Sequence, residues 1–139
     1  MLVLGADNAS PSHGLSPTTA EPQSGLWFGK TDDLWSFGKP KGWGGPWWLT
    51  RVTAHVPSDP FLMTGFEHKC LHVENQGDST ATIRLKIDFH GHGRYSAFDT
   101  LTVKAGSMAT YVFPTGFSAH WIRLVSDTDT IASAQFFYT

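Results

Sequence analysis

An alternation of apolar and polar residues with a period of two constrains the fold of this chain most strongly. The clearest case is the segment 82–90, whose apolar positions are Ile83, Leu85, Ile87 and Phe89, with polar residues such as Asp88 and His90 between them. Side chains along a β-strand point alternately to its two faces. The pattern therefore predicts a strand that turns Phe89 toward a core and Asp88 toward solvent.

The same reading predicts short strands along most of the chain and no helix. The predicted strands are 49–56, 61–66, 69–74, 82–90, 101–103, 108–113, 120–125 and 131–138. Gly106 lies between two of them and predicts a hairpin that joins 101–103 to 108–113. The sequence thus predicts an all-β fold, an antiparallel β-sandwich or jelly roll of about eight strands.

The first 24 residues differ in composition from the rest of the chain. The segment 8–24 is rich in Ser, Thr, Pro and Ala and poor in large apolar residues. Such a segment has too little apolar surface to offset the entropy lost on ordering. We therefore predict a flexible linker or tail over 1–24 and a β-sandwich domain over 25–139.

Charge and composition exclude several classes of partner and cofactor. The 139 residues carry 10 Lys and Arg against 12 Asp and Glu, so the net charge of −2 gives no basic surface for nucleic acid. No apolar run approaches the roughly 20 residues of a membrane-spanning helix. Phosphate-binding and dinucleotide-binding glycine motifs are absent, which predicts no nucleotide or organic cofactor.

The six Trp residues are concentrated, five of them between Trp27 and Trp48. Gly and Pro separate the indole rings, which favours strands and loops over a helix. Trp and Tyr faces stack on the apolar C–H faces of sugars, while carboxylates bind sugar hydroxyls. The predicted carbohydrate-binding residues are Trp35, Trp43, Trp47, Trp48 and Asp33. The alternative for each ring is a place in the core.

A His-x-His motif is the candidate metal site. His90 and His92 would point to the same side of an extended strand and could offer two imidazoles to copper or zinc. We predict His72 as the third ligand, although His55, His68 and His120 are also available. The alternative is two exposed histidines at a turn. Ser96 stands where a cupin metal site usually has Glu or Gln.

Cys70 is the single cysteine, so the chain cannot form an internal disulfide. It is expected to pack as a small side chain in the strand 69–74. A catalytic thiolate is the alternative, because His68 and His72 would share its face of the strand.

Four phrases of the sequence are distinctive: LWFGKTDDLW (26–35), GWGGPWW (42–48), PSDPFLMTGF (57–66) and FPTGFSAHW (113–121). Together they resemble a C-terminal β-sandwich module of large, uncharacterised, secreted bacterial proteins. The resemblance covers about 25–139 and implies an extracellular location with a linker in front of the module, although 1–24 contain no recognisable signal peptide. It implies no particular activity.

The leading functional interpretation is a module that binds polysaccharide through an aromatic surface. The alternative is a small copper- or zinc-dependent enzyme that acts on polysaccharide, and oxidative chemistry is favoured over a glycosidase because no carboxylate pair stands out. Whether the chain is an enzyme therefore stays open at this stage. Exposed sheet edges and aromatic rings also make a homodimer an expectation.

Overall fold

A computed structural model describes residues 2–6, 25–30, 32, 39 and 41–139, with side chains from residue 30 onward within those ranges. The chain divides into two compact units, Met1–Lys39 and Pro40–Thr139. In the first unit, strand β1 (Leu2–Ala6) pairs antiparallel with strand β2 (Gly25–Gly29). Most of the predicted tail, residues 1–24, lies outside the described residues, and that assignment stays a prediction.

The second unit contains eight strands, which confirms the predicted all-β sandwich. They are β3 (Gly42–Val52), β4 (Phe61–Leu62), β5 (Lys69–Asn75), β6 (Ala81–Asp88), β7 (Ser96–Val103), β8 (Ser107–Val112), β9 (Trp121–Ser126) and β10 (Thr130–Tyr138). Within the part of the chain that the structure describes, no helix is long and apolar enough to cross a membrane.

The eight strands form two antiparallel four-stranded sheets. The first sheet has the order β3-β10-β5-β8, and the second has the order β4-β9-β6-β7. Only the β6–β7 connection joins neighbours in one sheet, while the other connections pass from sheet to sheet as in a jelly roll. The predicted hairpin at Gly106 is therefore wrong. Gly106 does turn with a positive φ of 62°, but the strands that it joins belong to different sheets.

The core lies between the two sheets and receives alternate residues from both. Leu71 and Val73 of β5 face Ile83, Leu85 and Ile87 of β6, and all five side chains are buried. Burying one such side chain stabilises the folded state by roughly 1.5–3 kcal/mol before entropy is counted. The opposite positions of each strand form the outer faces of the sandwich.

The end of β6 departs from the predicted alternation. Asp88 is buried and Phe89 is exposed, the reverse of what the period of two predicts. The Asp88 carboxylate accepts hydrogen bonds from the backbone N–H groups of His90, Gly91 and Gly93, at 3.1, 2.9 and 2.7 Å. Because these bonds satisfy the buried carboxylate, the strand ends at Asp88 and the chain turns Phe89 outward.

Candidate binding groove on the outer face

The outer face of the β3-β10-β5-β8 sheet carries an unusual number of exposed apolar side chains. They are Trp43, Trp48, Leu49, Met108, Val112, Ile131 and Phe137. Strand pairing places Trp43 beside Phe137 on neighbouring strands. Large exposed apolar patches are typical of surfaces that bind a protein, a membrane or a ligand.

An irregularity in β3 turns two consecutive large side chains toward this face. Leu49 has a positive φ of 48°, and the β3–β10 register shifts on both sides of Ala134. Side chains replace part of the regular ladder: the Leu49 N–H donates to Ser133 Oγ at 3.0 Å, and Gln135 Nε2 donates to the Trp47 carbonyl at 2.8 Å. Because the backbone is bulged, Trp48 and Leu49 both lie outward instead of alternating.

Between these strands lies a groove of about 420 Å³, which we call the outer-face groove. Its apolar walls are Trp48, Leu49, Met108 and Phe137. Its polar lining is His72, Glu74, Ser133 and Gln135. The volume falls within the range of small-molecule sites, and apolar walls with a few polar groups are typical of them.

His72 is held in a fixed position on the groove floor. Its Nδ1 lies 2.8 Å from Thr110 Oγ1 on β8, and its Nε2 lies 3.5 Å from Cys70 Sγ on the same strand. Its ring and that of Phe137 pack in a T-shaped arrangement, with ring centroids 5.2 Å apart. Burial raises the pKa of the Cys70 thiol, which favours the neutral form over a nucleophilic thiolate.

The structure separates the predicted carbohydrate-binding residues into two groups. Trp43 is 78% exposed and Trp48 is 71% exposed, so both rings are available on the outer face. Trp47 is 5% exposed and belongs to the core, where its ring cannot meet a surface ligand. Trp35 and Asp33 lie outside the described residues.

Of the three predicted metal ligands, only His90 and His92 lie close to each other. His90 and His92 are exposed on the loop after β6, with ring centroids 5.6 Å apart. His72 lies on the outer face of the other sheet, turned away from the core that separates the two sheets. Among the described residues, no group of three or more His, Cys, Asp or Glu side chains is arranged to hold a metal ion. A metal at His90 and His92 stays a prediction.

The Asp88 carboxylate holds the loop that carries His90 and His92 by hydrogen bonds to the loop backbone. Desolvation opposes the charge on Asp88, but hydrogen bonds from the N–H groups of Gly93, His90, Gly91 and His92 outweigh it and hold the pKa of this carboxyl below its ordinary value. The His120 ring packs against Gly91, where an added Cβ would lie 3.1 Å from the His120 Cγ. The loop is therefore tightly packed although its two histidines are exposed.

Several groove residues were missed by the sequence analysis, and β10 contained the signal. Its outward positions are Ile131, Ser133, Gln135 and Phe137, and two of these four are large and apolar. An outer strand face normally carries polar residues. Apolar residues on both faces of β10 therefore indicated that its outer face is also a binding surface.

Comparisons with known proteins leave the family of this chain open. No protein-family model matches the chain, and no curated protein matches it either. One similar solved structure is described as the crystal structure of PirA; it shares 15% identity with this chain, covers 71% of this chain and 93% of its own, and has a TM-score of 0.41. A similarity at this level carries no functional information. The resemblance to secreted bacterial modules, and the extracellular location that it implies, stay predictions.

Proposed function

We propose that this protein is a carbohydrate-binding module and that the outer-face groove holds the glycan. The observation that carries the proposal is the pair of exposed rings, Trp48 and Phe137, on the walls of a groove that also offers polar groups. Trp43 extends the aromatic surface beyond the groove, because it lies beside Phe137 on the neighbouring strand.

The chemistry of the groove fits a sugar better than it fits a purely apolar ligand. A pyranose ring has apolar C–H patches that stack on aromatic faces and equatorial hydroxyls that need hydrogen-bond partners. Glu74, Ser133 and Gln135 supply a carboxylate, a hydroxyl and an amide within the groove. Ser133 Oγ and Gln135 Nε2 already have hydrogen-bond partners within the sheet, but an apolar ligand would desolvate the Glu74 carboxylate without offering it a hydrogen bond, which costs binding free energy.

The binding surface stands on sheet strands, not on loops. Trp48 and Leu49 come from β3, Phe137 from β10, His72 and Glu74 from β5, and Met108 from β8. Strands joined by backbone ladders hold side chains in place, so little conformational entropy is lost when a ligand binds. Such a rigid platform suits repeated weak stacking contacts along a polysaccharide.

The test is retention on insoluble polysaccharides. Residues 1–139 would be mixed with cellulose, chitin, xylan and β-1,3-glucan, and depletion from the supernatant would be measured for the parent protein, Trp48→Ala and Phe137→Ala. We expect binding to at least one polymer and a loss of at least about tenfold in each variant, equal to about 1.4 kcal/mol.

Phe89→Ala is the matched control, because Phe89 is a similarly exposed ring on the loop after β6, away from the groove. Its retention should equal that of the parent protein. The proposal fails if no polymer is bound, or if Phe89→Ala weakens retention as much as Trp48→Ala does.

A metal-dependent enzyme acting on polysaccharide is the second candidate function. The observation in its favour is the pair of exposed imidazoles of His90 and His92, on a loop that Asp88 holds in place. His120 packs against Gly91 of the same loop, whereas His72 lies on the outer face of the other sheet. Copper or zinc titration of the parent protein and His90→Ala tests this candidate, which requires one equivalent of metal that the variant loses.

A further inference from the structure

Three cationic side chains lie together on the outer face of the β4-β9-β6-β7 sheet. Arg84 and Lys86 alternate with the buried residues of β6 and therefore point outward, about 7 Å apart along the strand. Strand pairing sets Arg123 of β9 directly opposite Lys86. Like charges that face each other across two strands destabilise a sheet. We call these three residues the basic face, and the facing pair favours the binding of a negative group between them.

The sheet positions that flank the basic face hold uncharged residues. Ala97 of β7 lies beside Lys86, and Thr100 of β7 and Val125 of β9 lie on either side of Arg84. Within the part of the chain that the structure describes, none of the three cations forms an ion pair. The sheet therefore gathers three positive charges without a counter-ion in contact with them.

The carboxylates carried by or next to these strands have other partners. Asp88 accepts backbone N–H groups of the loop after β6, and Asp127 accepts a backbone N–H group of β6 itself. Asp99 accepts a backbone N–H group and a tyrosine hydroxyl of β8. Asp59 follows an antiparallel bridge to β9 that places it beside Arg123 in register, but it forms no ion pair with a described residue.

The guanidinium of Arg123 is held in place and partly desolvated. Its Cζ lies 4.7 Å from the centroid of the Tyr95 ring, so the ring covers one face of the guanidinium plane. Its Nε is the one side-chain nitrogen or oxygen among the described residues that is buried without a hydrogen-bond partner. Since the Nη atoms are not buried in this way, the outer edge of the guanidinium is open to an acceptor. A cation that has lost part of its hydration attracts an anion more strongly.

We propose that the basic face binds a tetrahedral oxyanion, a sulfate or phosphate group, between Lys86 and Arg123. The planar guanidinium donates two parallel hydrogen bonds to such a group, and the ammonium of Lys86 adds a point charge from the facing strand. A doubly charged oxyanion neutralises this facing pair, whereas a singly charged one leaves one charge uncompensated. Arg84 adds a third positive charge at the rim.

This site is separate from the outer-face groove, because the two lie on different sheets of the sandwich. Trp48 and Phe137 contribute nothing to the basic face, and its three cations do not line the groove. Loss of glycan retention in Trp48→Ala therefore leaves oxyanion binding unchanged, and the two proposals fail independently.

The experiment is a ¹⁵N NMR titration of the full chain with sodium sulfate, sodium phosphate and sodium nitrate, with ionic strength held constant by sodium chloride. We expect sulfate and phosphate to produce saturable shifts of the Arg123 Nε–H signal and of backbone amides in β6 and β9. Nitrate, a planar anion with one charge, should bind at least about tenfold more weakly. Glucose 6-sulfate and glucose 6-phosphate form a second arm: tighter binding than the free ions identifies a sugar ester as the ligand, and equal binding identifies the ion itself.

Variants assign the contacts. Arg123→Gln and Lys86→Gln should each weaken sulfate binding by at least about tenfold. Asp59→Asn should strengthen it, because a repelling charge is removed. Tyr95 is a positioning residue, so Tyr95→Ala should weaken binding several-fold while Tyr95→Phe, which keeps the ring over the guanidinium, restores the parent affinity.

Arg51→Gln is the matched control, because Arg51 is an exposed arginine of β3 in the other sheet. It should bind sulfate as the parent does. The proposal is overturned if sulfate and phosphate cause no saturable shift, if nitrate binds as tightly as sulfate, or if Arg51→Gln weakens binding as much as Arg123→Gln. The dispersion of the backbone amide signals verifies in the same spectra that each variant is folded.

Discussion

The adjacent residues Trp47 and Trp48 of β3 provide the most direct test of which side chains form the outer-face groove. Trp47 is buried in the core, whereas Trp48 forms a wall of the outer-face groove. We expect Trp47→Ala to destabilise the protein and to affect binding only through loss of folded protein. Trp48→Ala should do the opposite, losing binding while the fold remains stable.

The magnitudes follow from the exposed fractions of the two rings. A Trp side chain buries roughly 150–250 Å² when it is covered. At about 25 cal/mol per Å², the nearly complete burial of Trp47 corresponds to about 4–6 kcal/mol, which overlaps the 3–5 kcal/mol usual for Trp→Ala in a core. Trp48 is 71% exposed, so truncation removes roughly 60 Å² of contact and costs at most about 1.5 kcal/mol.

The assay is chemical and thermal unfolding of both variants beside the parent. For a unit of this size, 1 kcal/mol shifts the Tm by about 4–8 °C, so Trp47→Ala should lower it by more than about 15 °C. Trp48→Ala should lower it by at most about 6–12 °C. Equal losses for the two variants would refute the assignment of one ring to the core and the other to the surface.

Three further predictions concern the backbone and the pH dependence of stability. Gly45→Ala should prevent normal folding, because an added Cβ would overlap the Ala134 carbonyl oxygen on β10; a soluble variant with the parent Tm would contradict this. Desolvation, helped by the hydrogen bond to Asp99, raises the pKa of Tyr111 to about 12, so its contribution to stability is complete below pH of about 10 and is lost as the pH rises through 12. Unfolding midpoints between pH 9 and 12 should therefore fall less steeply in Tyr111→Phe, and identical slopes would count against the interaction. The lowered pKa of Asp88 makes a contribution to stability that is fully present above the unfolded-state pKa of about 3.9 and is lost as the pH falls through the lower folded-state pKa. In urea unfolding, Asp88→Asn should be less stable than the parent at pH 7, and the difference should shrink as the pH falls below about 3.9.

Most of the strands were predictable from the sequence, but not all of their bounds: β3 covers Gly42–Val52 where 49–56 was predicted, and β7 begins at Ser96 where 101–103 was predicted. The alternation of Ile83, Leu85 and Ile87 placed β6 and its buried face correctly, because one-sided burial imposes a period of two on any strand. The prediction was wrong at Asp88 and Phe89. There, hydrogen bonds from the following loop satisfy a buried carboxylate, and such bonds leave no periodic signal.

The groove was not predictable in the same way. Trp47 and Trp48 are chemically identical neighbours, and their opposite burial depends on the positive φ at Leu49 and the register shifts against β10. Phe137 joins the groove only because β10 pairs with both β3 and β5. The sequence indicates which residues are strands, but the pairing of distant strands is a property of the whole fold.

The jelly-roll pairing also determines how the protein reaches its native state. In the first sheet, β10 lies between β3 and β5, and it pairs Thr130 with Val52 and Tyr138 with Gly42. Pairing such distant parts of a chain closes large loops, and the chain loses conformational entropy before the stabilising contacts between the strands form. Folding is therefore expected on a time scale of about milliseconds to seconds. During synthesis, β3 and β5 remain without their common neighbour until β10 has left the ribosome. Throughout that interval the edges of β3 and β5 can pair with strands of other chains. The protein is therefore most prone to aggregate before β10 has paired with them.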